Sequence, residues 1–215
     1  MPLILVTVLI MTSGISWSIV YIDLINRGFK DQTYGMPLFA LAFNIAWEFM
    51  FGFLVGTGVS LQRVVNITWC LLDAVIIYTY FKYGRKDFPK DKERFFIPWS
   101  LAAFFVGFLV IYVAYYEFPN FWGARYTAFA QNLMMSVLFI AMLIRRNSVD
   151  GQSMYIAIFK MLGTLAPTIQ MSIQTGSKLI LIFGIGCFLY DVTYIWMLHQ
   201  KFLELRLNPF TRKPV

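Results

Sequence analysis

Four ionisable residues stand where an apolar chain should have none. Glu48 lies in "LFALAFNIAWEFMFGFL" (38–54), Asp73 in "WCLLDAVIIY" (69–78), Lys160 in "IAIFKMLGTL" (156–165) and Asp191 in "LYDVTYIW" (189–196). Each falls within a run long enough to cross a bilayer. A charge at the centre of a membrane helix costs at least ~2.5–3.5 kcal/mol on insertion scales, so such residues face the bundle interior and serve a purpose. The plainest purpose is an interhelical ion pair, and Lys160 is the obvious cation. Three acids against one base leave at least two carboxyl groups without a deep cationic partner. An unpaired carboxyl group in an apolar interior favours its neutral form, and a neutral acid is a proton donor. Asn44 and Glu48 stand at i and i+4 on one helix face, and Asp191 shares its face with Cys187, Tyr194 and Ile195. Asp23 and His199 fall near span ends, within reach of headgroup water.

The elements that must position these groups follow from composition. Of 215 residues 59% are hydrophobic and only 13% charged, with a mean hydropathy of +0.66, too little polar surface for a soluble domain. The chain reads as an all-α integral membrane bundle of seven transmembrane helices forming a single domain over 1–215. The spans fall at about 3–24, 36–55, 63–81, 97–116, 126–144, 153–172 and 179–199. The first has no basic leader or small-residue cleavage site and is expected to persist as a helix. Lys and Arg gather in the first, third and fifth loops and the tail, while Arg63, Arg125 and Lys178 fall on the other side. The positive-inside rule then makes the N-terminus non-cytoplasmic and the C-terminus cytoplasmic. The net charge of +7 belongs to that topology and to anionic lipid headgroups, so no nucleic-acid partner is expected. Cys70 and Cys187 lie on separate helices and His199 is the lone histidine, so neither a disulfide scaffold nor a Cys/His metal site is credible. No metal and no cofactor are expected.

Aromatic residues make up 19% of the chain, many of them in mid-span: Trp17, Trp47, Trp69, Phe104, Phe105, Phe188, Tyr190, Tyr194 and Trp196. Lipid-facing packing accounts for any one of them. Together they could line a dry pocket in which ring faces stabilise a cation by roughly 0.5–2 kcal/mol each. Protonated acids beside aromatic walls suit carbocation chemistry. Ionising an allylic diphosphate would instead require clustered aspartates to hold Mg²⁺. No two acids are adjacent, no D-x-D occurs, and Asp87, Asp91 and Glu93 alternate with basic residues as in a solvated loop.

Asn44-Ile45-Ala46-Trp47-Glu48 and the late Leu189-Tyr190-Asp191-Val192-Thr193-Tyr194, set in seven short spans, resemble the membrane-bound terpene cyclases of fungal meroterpenoid and indole-diterpene pathways across essentially the whole chain. "WCLLDAVIIY" (69–78) and "DGQSMYIAIFKMLGTLAPTI" (150–169) are further echoes. The resemblance implies that Glu48 and Asp191 are the acids, and that the enzyme protonates the terminal epoxide or olefin of a prenylated substrate and directs polyene cyclisation. Asn44 would orient Glu48. Asp73 would assist protonation or orient a headgroup, and Trp47, Trp69, Tyr190, Tyr194 and Trp196 are candidate walls. The implied partners are a hydrophobic prenylated small molecule, the lipid bilayer, and a pathway prenyltransferase and epoxidase upstream; the implied location is the endoplasmic reticulum.

The rival reading is a small-solute transporter with a three-plus-one-plus-three repeat. It rests on an echo between "LLDAVIIY" (71–78) and "LYDVTYIW" (189–196), which aligns Asp73 with Asp191, and on Pro167, which would kink the sixth span. A retinal-binding receptor would need a lysine in the last span, and 179–199 holds none.

Overall fold

A computed structural model describes residues 1–55 and 60–214. Its helices are α1 (Leu3–Lys30), α2 (Leu38–Phe49, continued by a π-helical turn Met50–Leu54), α3 (Leu61–Tyr83), α4 (Phe96–Glu117), α5 (Trp122–Arg146), α6 (Met154–Thr175) and α7 (Lys178–Glu204). Six are long and apolar enough to cross a membrane, and Leu38–Leu54 is a shorter apolar helix. All seven expected spans are therefore helical, with ends that shift by a few residues. α1 and α7 run on furthest, to Lys30 and Glu204, where the helix leaves the apolar run and ends among basic side chains. Local chemistry sets several boundaries. Ser60, Ser153 and Ser177 accept the backbone N–H groups of Arg63, Ile156 and Ile180 and so cap α3, α6 and α7. Asn147 and Gly176 take the left-handed conformation that closes α5 and α6. Arg63 donates to the carbonyl of Gly52 at 2.9 Å, within the π-helical turn that ends α2.

The packing forms a ring. α1 lies against α3 and α6, α6 against α7, α7 against α5, and α5 against α2, which closes onto α3; α4 packs outside on α2 and α5. Small residues permit the close approaches, as in membrane bundles generally. On α4 the buried stripe is Ser100, Ala103, Gly107 and Ile111, and the ideal Cβ position of Gly107 is 3.0 Å from the Ala42 carbonyl oxygen on α2. The rest of α4 presents large apolar side chains outward, Phe105 and Leu109 among them. Pro167 in α6 has no N–H to give the carbonyl four residues back, that of Gly163. Ser13 of α1 supplies the missing donor at 2.8 Å, so the Pro-containing turn is satisfied by a neighbouring helix.

One end of the bundle is basic and tightly clasped. The Arg146 guanidinium takes Asp87 at 2.9 Å and the Tyr34 carbonyl at 2.9 Å. Arg212 of the tail takes Asp31 at 2.7 Å, and Ser153 donates to Asp23. Asp87 thus leaves the alternating charged run to anchor a pair of 3₁₀ turns, Gly84–Asp87 and Lys90–Phe95. Asp87 is drawn out of the solvated run because Arg146 lies opposite it on α5, while Lys90, Asp91, Lys92 and Arg94 stay exposed as expected.

A Cβ on Gly123 would lie 1.9 Å from the Ala114 carbonyl oxygen, a backbone atom that cannot swing away, whereas one on Gly14 meets nothing within 4 Å. Gly123→Ala is expected to cost about 1–3 kcal/mol by forcing α4 and α5 apart, and Gly14→Ala to be neutral; thermal unfolding in detergent distinguishes the two.

Candidate active site

The interior of the ring holds two hydrogen-bonded groups of ionisable side chains. The first joins α1, α2 and α3. Helical periodicity on α1 buries Trp17, Val20, Tyr21 and Leu24 along one stripe, which delivers the Tyr21 hydroxyl to the centre. The hydroxyl donates to Oε1 of Glu48. Asn44, one turn before Glu48, directs its Nδ2 to three oxygens: Tyr21 Oη at 2.5 Å, Glu48 Oε1 at 3.1 Å and Asp73 Oδ2 at 2.8 Å. One amide therefore holds two carboxyl groups from different helices around itself. Glu48 is 3% exposed and Asp73 fully enclosed, and among the described residues Glu48 Oε2 and Asp73 Oδ1 have no donor partner, while the two carboxyl groups lie within hydrogen-bonding range of each other. Like charges at low dielectric oppose ionising both groups at once.

The second group joins α5, α6 and α7. Lys160 Nζ lies 2.5 Å from Asp191 Oδ1 and 2.6 Å from Ser136 Oγ, with the Phe139 ring 5.8 Å away. Both members of the ion pair are enclosed, and Asp191 Oδ2 is again without a partner. Removing either partner of a buried, hydrogen-bonded pair of this kind leaves the other uncompensated. Among the described residues no hydrogen bond links the two groups; Trp17 lies between the elements that bear them, 6.4 Å from the Tyr21 ring and tight against Gly163, one turn after Lys160.

The anticipated site residues divide accordingly. Glu48, Asn44 and Asp73 come together, while Asp191 stands with Lys160. Trp69 stacks on Tyr21 at 5.9 Å and so walls the first group. Tyr194 is buried against Phe139 and donates to Gln152 at 3.0 Å, toward the basic end. Trp47 spends its indole N–H on the Ala124 carbonyl at 3.0 Å, with its ring against Phe51. Tyr190 and Trp196 point outward, 45% and 63% exposed: Trp196 lies across α7 from Asp191 and Tyr194, and Tyr190 stands at the edge of the buried Cys187, Asp191, Tyr194 and Leu198 stripe. Tyr21 and Ser136 were not anticipated. Tyr21 could have been found from its place on the Trp17–Leu24 stripe; a lone serine such as Ser136 gives no such signal.

A bundle of membrane-spanning helices that encloses two groups of ionisable side chains defines an integral membrane protein with buried acids at its centre. The chain belongs to the Pyr4-like transmembrane terpene cyclases: the family model matches residues 3–200. Similar proteins include the Pyr4-family terpene cyclase mfmH of Annulohypoxylon moriforme, 33% identical over 73% of this chain and 66% of its own length. The terpene cyclase pyr4 of Aspergillus fumigatus is 27% identical over 89% of this chain and 86% of its own. The terpene cyclase macJ of Penicillium terrestre is 32% identical over 72% of this chain, which spans 61% of that relative. No solved structure matches.

Removing the Lys160 amine leaves Asp191 an unpaired buried charge. Lys160→Met is expected to destabilise the protein by about 3–5 kcal/mol, and Lys160→Met with Asp191→Asn to recover part of that loss; unfolding midpoints of the single and double variants in one detergent provide the check.

Proposed function

We propose that the chain is a membrane-bound terpene cyclase that protonates the terminal epoxide, or olefin, of a prenylated meroterpenoid or indole-diterpene precursor and directs polyene ring closure. Family membership favours this reading over a solute transporter. The observation that carries the chemistry is the buried Tyr21–Asn44–Glu48–Asp73 network, with its two carboxyl oxygens that lack a donor. In this reading Glu48 is the donor, oriented by Asn44 and Tyr21. Asp73 lies within hydrogen-bonding range of Glu48 and can share that proton directly. Protonation of the epoxide oxygen weakens its bond to the more substituted carbon, and the neighbouring alkene supplies the electron pair that closes the ring. The epoxide oxygen stays on the less substituted carbon as a hydroxyl, the final cation loses a proton, and the product is an isomer of the substrate. An enclosed site prevents water from capturing the cation early.

Asp191 is the second catalytic residue of the proposal, in the role of base rather than acid. Paired with Lys160, it stabilises the migrating positive charge or takes the final proton. Trp17, Tyr21 and Trp69 offer ring faces to the cation. α2 serves as the second of seven spans, with the N-terminus non-cytoplasmic and the basic end in the cytoplasm, and the helices act as a single unit. In this reading the substrate reaches the bundle from the bilayer after a prenyltransferase and an epoxidase have acted, and the endoplasmic reticulum is the proposed location.

Detergent-solubilised protein supplied with an epoxidised prenyl substrate is expected to yield a cyclic isomer of unchanged mass; a transporter yields nothing. Glu48→Gln and Asp191→Asn are each expected to lower turnover by about 10²-fold or more. Full turnover in either variant, measured by mass spectrometry and NMR, would remove that residue from the mechanism.

A further inference from the structure

A cavity of about 290 Å³ opens at the basic end between α2, α3, α4 and α5, away from both ionisable groups. Its walls are largely ring faces, including Tyr34, Phe39, Tyr80, Phe96 and Trp99, and Arg145 stands beside them. The rings brace one another: Tyr34 meets Tyr80 edge-on at 5.0 Å, Tyr80 stacks on Phe96 at 5.3 Å, and Phe39 meets Trp99 edge-on at 5.6 Å. The walls are therefore built in advance of any ligand. Their polar groups are biased toward donation. The Tyr34 hydroxyl oxygen accepts from Arg145 Nη2 at 2.6 Å, which leaves its own proton to give. Tyr80 is already engaged with Ser100 at 2.9 Å, and the nearby Asp87 is taken by Arg146. A ligand here would be flat, to lie against rings, and would carry acceptor oxygens for Tyr34 and Arg145.

The cavity also sits at a telling place on the helices that carry the acids. On α3, Asp73, Ile76 and Tyr80 are buried at i, i+3 and i+7 on one face, so Tyr80 lies about 10 Å along the axis from Asp73. On α2, Leu38 lines the cavity, and the buried residues Leu41, Asn44 and Glu48 follow it toward the middle of the helix. Both faces lead from the acid network to the ring-lined cavity.

We infer that this cavity is the headgroup site of the enzyme's own substrate: it takes the planar, oxygen-bearing aromatic or heteroaromatic ring, and the prenyl tail runs from there toward Glu48 and Asp73. The inference rests on the cyclase reading and adds an orientation, headgroup at the basic end and reacting terminus in the middle of the bundle. It assigns Arg145, Tyr34 and Trp99 to specificity rather than to proton transfer. Arg85 and Arg146 also lie against the rings of this cavity, 5.9 Å from Phe96 and 4.2 Å from Tyr34, with Arg146 committed to Asp87; a phospholipid headgroup is the poorer fit because it would leave the stacked ring walls without a planar partner.

The test is equilibrium binding to the purified full chain in detergent, using farnesyl-orcinol, a farnesyl-4-hydroxy-2-pyrone and 5-hydroxy-3-farnesylindole as probes and farnesyl methyl ether as the probe without a headgroup. At least one ring-bearing probe is expected to bind tenfold or more tightly than the ether. Arg145→Gln and Trp99→Leu are expected to abolish that preference while shifting the Kd of the ether less than twofold. Both side chains are largely on the surface, Trp99 at 51% exposure, so neither change opens the core. Equal binding of all four probes, equal weakening of all four by the variants, or displacement of the ring probe by phosphatidylserine at matched concentration would overturn the inference. Binding is read without turnover, so a protein that binds the probes but cyclises nothing would refute the proposed activity and leave the headgroup site standing.

Discussion

A single side-chain amide governs the centre of this molecule. Asn44 Nδ2 reaches a tyrosine, a glutamate and an aspartate that arrive on three different helices. Without it, two carboxyl groups would face one another in a low-dielectric interior with nothing between them, an arrangement that repulsion and desolvation both oppose. With it, one oxygen of each acid is satisfied and the other is left over. The rest of the bundle serves that geometry. α4 offers α2 a stripe of small residues so that α2 can sit deep, the Trp17–Leu24 stripe aims Tyr21 inward, and Ser13 satisfies the carbonyl that Pro167 frees in α6.

The second buried group answers the same constraint differently. Asp191 is paired with an opposite charge on a neighbouring helix instead of with a second acid. Two solutions to one electrostatic problem stand side by side in one bundle, a hydrogen-bonded acid network and an ion pair. Acid-initiated cyclisation needs both kinds of group, a donor at the start and a negative charge to guide or end the cation's path. The proposed roles follow from that contrast and not from acidity alone.

Much of this was legible in the residues. Charged side chains in apolar runs marked Glu48, Asp73, Lys160 and Asp191, because the energetic cost of burying them is large enough to leave few alternatives. The i, i+4 spacing of Asn44 and Glu48 likewise survives in any helix. Which acid stands with which partner was not legible, since partnership between helices depends on rotation and neighbour order, neither of which a periodic pattern encodes. The same ambiguity hid the outward turn of Tyr190, at the edge of the buried stripe of α7, and of Trp196, across the helix from it. Asp87 looked like one of several loop charges until Arg146 was brought opposite it. The ring-lined cavity drew residues from four separate helices, a convergence that no single stretch of chain announces.

The central claim is that the α1–α2–α3 network holds a protonated carboxyl group at neutral pH. Infrared spectroscopy of the purified protein measures this directly, through the carbonyl stretch of a carboxylic acid and its shift in D₂O. The account predicts such a band in the parent protein and its loss or displacement in Glu48→Gln, with Asp191→Asn leaving it in place. A spectrum with carboxylate bands alone, or an acid band indifferent to both Glu48→Gln and Asp73→Asn, would contradict it.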